Sequence, residues 1–491
     1  MPTSRKPNIL FIMTDQQRYD CVGANGNIHI RTPNIDALAA ESANFGNCFC
    51  QAPVCVPSRQ TYFTGRYPHS HRNRVNYTPL DPSETLMQAR LREAGYTTGF
   101  VGKLHYWPPT RDHALGTGFD HGLIHDAGPT DAYSDYIRWL EANTEYARGN
   151  YRECRAPSGG GNPFTAIIPD EYHETTWCGR ETRAMLREMS AQDRPFFLFS
   201  SYWKPHSPFE VPEPWASMYN DVDIPLPKQV DLDYIEGLPL PLQRLILRSL
   251  DGGHRVEPTR LQWMWRSYYA AVSHIDREVG QTLELLDELG LRESTVVVFC
   301  SDHGDLLMEH GINGKNAFFE NAIRVPFMIR LPGVIRAQTH RDLVETTDVL
   351  PTVFELAKIP VPVSVQGRSF VQLLTGESIG SAYTPREYVF GENIIPEVIT
   401  GGKMDFEYRP NRGIKDIRHP DAKMVRSRRW KYVRYVGHGE ELYDLKNDPG
   451  EMRNLASNMA YTAVVRELRD ALLDWLITAD ETDQIAPQWL V

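Results

Sequence analysis

Four short apolar runs constrain this chain more than anything else in it. They cover residues 8–14, 97–101, 195–202 and 295–300, and each is apolar at almost every position rather than at alternate ones. A strand buried on both faces has that pattern, and such strands belong to the interior of a parallel sheet. Helical spacing lies between the runs, at residues 32–39, 83–94, 174–190 and 268–289. Strands alternating with helices predict an α/β fold, a large central, mostly parallel sheet flanked by helices. In open sheets of this kind ligands gather beyond the carboxyl ends of the strands. The residues found there are Asp15-Gln16, Lys103 with His105, His206, and Asp302-His303. Residues 107–172 read as irregular loops with short helices, and 211–242, rich in proline, as a rim or lid. From about residue 383 the pattern changes to hairpin strands at 424–436 and a last helix at 461–477. The division expected is a catalytic α/β domain at 1–382 and a smaller α+β subdomain at 383–491, with an antiparallel sheet.

Length agrees with two units, since 491 residues exceed one ordinary core. The formal net charge of -11 argues against nucleic acid and anionic membrane as partners. A chain this acidic that binds an anion must collect its positive charge locally. Seven cysteines at irregular spacing make neither a disulfide framework nor a zinc site. The first apolar run stops at Asp15, too short for a signal peptide, and no run is long enough to span a bilayer. A cytoplasmic protein is the expectation.

The chemistry centres on Cys55-Val56-Pro57-Ser58-Arg59, continued by Gln60 to Arg66. Pro57 suits the first turn of a helix, which puts Cys55 at the N-terminal mouth, where free N–H groups and the dipole favour an anion. Arg59, four residues on, shares that face. Cys-x-Pro-Ser-Arg followed by Thr-Gly-Arg resembles the signature of the type I sulfatases, in the alkaline phosphatase superfamily. Val56 departs from the usual Ser, Thr or Ala. The opening Lys6 to Asp15, Gly102-Lys103-Leu104-His105, Pro205-His206-Ser207-Pro208-Phe209, Ser301-Asp302-His303-Gly304 and Gly314-Lys315 resemble further motifs of that family, in family order.

The resemblance implies a specific apparatus. Cys55 would be oxidised to formylglycine by a formylglycine-generating or anaerobic maturation enzyme, and the aldehyde hydrate would be the nucleophile. Asp15, Asp302, His303 and the oxygen of modified Cys55 would hold one divalent cation. Gln16, where the family usually has a second aspartate, is a less certain ligand. Mostly oxygen donors favour Ca²⁺ or Mg²⁺, and the imidazole admits Mn²⁺. Arg59, Lys103 and Lys315 would neutralise the sulfate oxygens. His105 would take the nucleophile's proton, and His206 with Lys315 would serve the leaving oxygen. Asn76 and His71, on the loop after the nucleophile helix, would border the substrate.

The activity implied is hydrolysis of a sulfate monoester of a carbohydrate or aryl alcohol. A phosphonate monoester or phosphodiester hydrolase of the same superfamily is the alternative. Such enzymes resemble this chain at Asp15-Gln16 and Asp302-His303 but usually lack the Lys-x-His element. A thiol phosphatase fits poorly, because the chain has Cys-x₃-Arg and not Cys-x₅-Arg. A non-catalytic binding protein would have no need of the full set of acids, bases and ligands.

Overall fold

A computed structural model describes residues 6–126, 133–146, 151–154, 161–250, 256–376, 383–394 and 421–480. Among these, eight strands form the main sheet in the order Gln338–His340, Ala43–Phe45, Phe327–Arg330, Thr295–Ser301, Asn8–Asp15, Phe196–Pro205, Thr97–Gly102, His121–Ile124. The last five are mutually parallel. Phe327–Arg330 runs against its two neighbours. The α/β expectation, a mostly parallel sheet flanked by helices, is therefore met.

Burial on both faces explains the continuous apolar runs. Ile9, Phe11 and Met13 enter one core, shared with Tyr62 and Phe63 of the helix Cys55–Thr64. Leu10 and Ile12 enter a second, shared with Trp177 and Leu186 of Glu174–Ser190 and with Ile275 and Val279 of Pro258–Glu288. One strand thus anchors both helical layers and delivers Asp15 at its end.

Three local expectations need correction. Within 107–172, His121–Ile124 is a strand that pairs parallel to Thr97–Gly102, whereas Asp135–Asn143, capped by Ser134, is one of the short helices expected there. The helix expected at 83–94 is only Met87–Glu93, because the Asp81 carboxylate accepts from the Ser83 N–H at 2.9 Å and keeps that stretch in a turn. The long helix begins ten residues before 268, with Pro258 at its first position.

A four-stranded antiparallel sheet follows, Val389–Ile394, Asp421–Arg426, Trp430–Tyr435 and Gly439–Asp444. Its alternation is clean. Met424, Val433 and Tyr443 pack into the first core of the main sheet, whereas Val425, Tyr432 and Leu442 pack against Leu468, Leu472 and Trp475 of the final helix, Thr462–Asp480. The small sheet is thus sandwiched, sharing one core with the large domain.

Candidate active site

The helix Cys55–Thr64 is polar in sequence yet buried at every position. It starts after extended Val54 and ends at Gly65, whose φ of 66° lets its N–H cap Thr61 O at 2.9 Å. Its N-terminus faces the carboxyl edge of the sheet, where four strand ends deliver their residues. Gly102 makes the bend before Lys103; a Cβ there would lie 2.0 Å from Ser201 O, at a φ of 97°.

Cys55 Sγ is the point of convergence. It lies 3.0 Å from Lys315 Nζ, 3.2 Å from His303 Nε2, 3.7 Å from Asp15 Oδ1 and 4.0 Å from Lys103 Nζ. His105 and His206 stand close enough to act on its charge as well. Burial alone would raise the Cys55 thiol, but Lys103, Lys315 and His303 outweigh it and hold it well below the ordinary thiol value. The site therefore stabilises negative charge on the atom at position 55.

Asp15, Cys55, Asp302 and His303 each offer one ligand atom, all within 4.8 Å of one another and all buried. His303 Nδ1 lies 2.9 Å from Gly304 O; a carbonyl only accepts, so Nδ1 carries a proton and Nε2 is the nitrogen turned to the cluster, able to lend its lone pair once a cation takes the place of a proton there. Burial and the neighbouring Asp15 carboxylate push Asp302 up. Two carboxylates, an imidazole lone pair and an anionic atom converging in a dry site suit a divalent cation.

Arg59 is tied into the protein beside the carboxylates of the site. Its side chain is 0% exposed, and it donates to Asp302 Oδ2 at 2.8 Å, Asp15 Oδ2 at 3.1 Å, Lys103 O at 2.8 Å and Ser201 Oγ at 2.9 Å. Every nitrogen has a protein partner, so Arg59 locks the two carboxylates and the Lys103 backbone from behind, while Nη2 keeps a second N–H beyond its bond to Asp15. His71, by contrast, is corrected. It is fully buried, with Nε2 at 3.2 Å from Thr61 Oγ1 and Nδ1 accepting from Asn73 N–H at 3.2 Å, and burial pushes it down to about 3. Asn76 is half-buried, and its Oδ1 accepts from the Val56 N–H at 3.0 Å. It caps the helix Cys55–Thr64 from the loop that follows it.

Gln16 occupies a left-handed backbone position, φ 68°. Its Oε1 accepts from Lys315 Nζ at 2.6 Å, and its Nε2 donates to Asp305. The amide thus steadies Lys315 over Cys55. His206 is half-buried, with Nδ1 2.5 Å from Ser207 O, so Nδ1 is the protonated nitrogen. Burial and Lys315 push it down to about 4, which leaves it neutral at pH 7.

Two contributors escape motif reading. Asp126 receives the His105 N–H on both oxygens, at 3.0 and 3.1 Å, and holds it at φ 60°. It stands two residues past the strand His121–Ile124, so the signal was the strand itself. Tyr77 packs edge-on against both His105 and Trp107, with centroids 5.9 and 5.6 Å away.

Fold and site together define a hydrolase of the alkaline phosphatase superfamily. The Sulfatase family model matches residues 7–359, and the chain belongs to that family. A second model, the N-sulphoglucosamine sulphohydrolase C-terminal region, matches residues 406–477. The chain is 28% identical to an arylsulfatase of Clostridium perfringens, over 97% of this chain and 95% of that one. It is also 28% identical to a choline-sulfatase of Rhizobium meliloti, over 100% of this chain and 91% of the other. Among solved structures, a phosphonate monoester hydrolase of Agrobacterium radiobacter superposes with a TM-score of 0.81 at 26% identity, covering 96% of each chain.

Proposed function

We propose that the chain hydrolyses a sulfate monoester of a carbohydrate or aryl alcohol, releasing the alcohol and inorganic sulfate. The observation that carries this over a phosphonate or phosphodiester substrate is the placement of Lys103. Its ammonium is buried, 2.5 Å from Asp15 Oδ2 and 4.0 Å from Cys55 Sγ. A transferring sulfuryl group shows three equatorial oxygens, all partly negative. A phosphonate monoester or phosphodiester shows two, with a carbon or alkoxy substituent in the third place. Lys103, Lys315 and the cation site surround position 55 with positive charge, so each of three anionic oxygens would find a partner.

Oxidation of Cys55 to formylglycine by a maturation enzyme would supply a hydrated aldehyde with one hydroxyl to attack sulfur and one to give up its proton. Asp15, Asp302 and His303 would hold a divalent cation, Ca²⁺ by donor type with Mn²⁺ or Mg²⁺ as alternatives, whose Lewis acidity lowers the nucleophile's pKa. The chain's own side chains divide the remaining work. Lys315, steadied by Gln16, donates to the transferring group and to the leaving oxygen. His105, oriented by Asp126, accepts the proton of the second hydroxyl. His206, neutral at pH 7 and held through Nδ1, presents Nε2 toward the reacting side. Tyr77 and Trp107 form an aromatic wall beside His105, suited to a sugar face or an aryl ring.

The selectivity of a Lys103→Ala variant tests this. With one aryl leaving group on a sulfate and on a phosphonate monoester, the sulfate kcat/KM falls by about 10²–10³-fold, as for loss of one charge-stabilising donor, and the phosphonate value by less than about tenfold. Equal losses on both esters contradict the assignment of Lys103 to the third oxygen.

A further inference from the structure

Trp203 stands between two of the proposed catalytic groups without belonging to any recognisable motif. It lies on the strand Phe196–Pro205, three residues before His206, and is 9% exposed. Lys103 Nζ sits over its ring, 3.7 Å from the centroid. The His206 ring lies 4.8 Å away, inclined by 52°. The Arg152 guanidinium also lies over this ring, at 4.8 Å. Its indole Nε1 has no hydrogen-bond partner among the described residues. Ring contacts, not a polar anchor, therefore mark its environment.

An ammonium has three N–H directions. For Lys103 one points to Asp15 and one toward residue 55. The Trp203 face takes up the remaining side. A lysine stem is flexible and its head strongly hydrated, so a buried lysine needs each direction answered if the head is to remain charged and in place. The indole face does this with its quadrupole and accepts no proton. The same side chain supports the imidazole of His206, so one rigid plate sets the spacing between Lys103 and His206.

We propose that Trp203 is a positioning residue for sulfate transfer, acting through Lys103 and, secondarily, through His206. The inference rests on the reading of Lys103 as a sulfate-binding group. A double-mutant cycle tests it, on the aryl ester that the wild-type enzyme turns over faster, with Trp203→Leu, Lys103→Met and the pair. Trp203→Leu alone lowers kcat/KM by about thirtyfold, the upper range of a desolvated cation–π contact. Trp203→Phe, which keeps an aromatic face, recovers most of that loss. In the Lys103→Met background Trp203→Leu costs less than about threefold, because the group it positions is gone. Equal losses in both backgrounds, or Leu and Phe equally impaired, overturn the proposal and leave Trp203 as packing. Should Trp203→Leu fail to fold, the cycle is run with Trp203→Met, which also lacks an aromatic face, and additivity there is again fatal. A wild-type preference for the phosphonate ester would count against the sulfatase reading without touching the coupling between Trp203 and Lys103, so the two failures are told apart.

Discussion

A Cys55→Ser protein, produced without a maturation enzyme, is expected to stop turning over sulfate esters and to retain one sulfate group covalently. The serine hydroxyl would occupy the point where Lys315, His303 and Lys103 converge at 3.0, 3.2 and 4.0 Å. It can attack sulfur and release the alcohol. The ester it forms has no second hydroxyl on the same carbon, so no proton can be removed to expel sulfate, and His105 is left without a task. Steady-state turnover then falls by about 10⁴-fold or more, as expected when a covalent nucleophile is disabled. Intact-mass measurement after incubation with an activated aryl sulfate reads the gain of one SO₃ group. Undiminished turnover would show that residue 55 is not the nucleophile.

The largest effect on stability is expected at Arg59. It is the buried counter-charge of both Asp302 and Asp15, at 2.8 and 3.1 Å, with both partners 0% exposed. Arg59→Met keeps most of the volume and removes the charge. Two carboxylates would then share the dry site with Lys103 as their near cation, and the Lys103 carbonyl and Ser201 hydroxyl would each lose a donor. Breaking a buried pair of this kind costs about 3–5 kcal/mol. Urea unfolding reads it directly, and added Ca²⁺ should restore more stability to the variant than to the wild type, since the carboxylates lack their internal cation. A change below about 1 kcal/mol, the scale of an exposed pair, would mean that Arg59 does not carry this charge balance.

Much of this arrangement was legible because the fold writes it into the chain. A parallel strand buried on both faces must be apolar until it leaves the sheet, so Asp15, Lys103, His206 and Asp302 stand out at the points where the apolar runs stop. The topology then places Asn8–Asp15 between Thr295–Ser301 and Phe196–Pro205, with Thr97–Gly102 beyond, and their ends converge. Which way a side chain spends its hydrogen bonds is another matter. Arg59, His71 and Asn76 all lie near Cys55 along the chain, but their partners come from residues as distant as Asp302 and as near as Asn73. Proximity in sequence could place them near the site and could not say that they face inward. The strand His121–Ile124 escapes the pattern for a plainer reason. His-Gly-Leu-Ile is short, sits at the sheet edge and is only partly buried, so it lacks the pattern that betrays its neighbours. With it went Asp126, the residue that orients His105.

One measurement bears most directly on the account. A single purified sample is assayed on a sulfate monoester and on a phosphonate monoester with the same aryl leaving group, with Cys55→Ala as the blank. Faster hydrolysis of the sulfate, abolished in the blank, is the expected result. Faster hydrolysis of the phosphonate would contradict it and assign the chain to the phosphonate monoester hydrolases whose fold it shares.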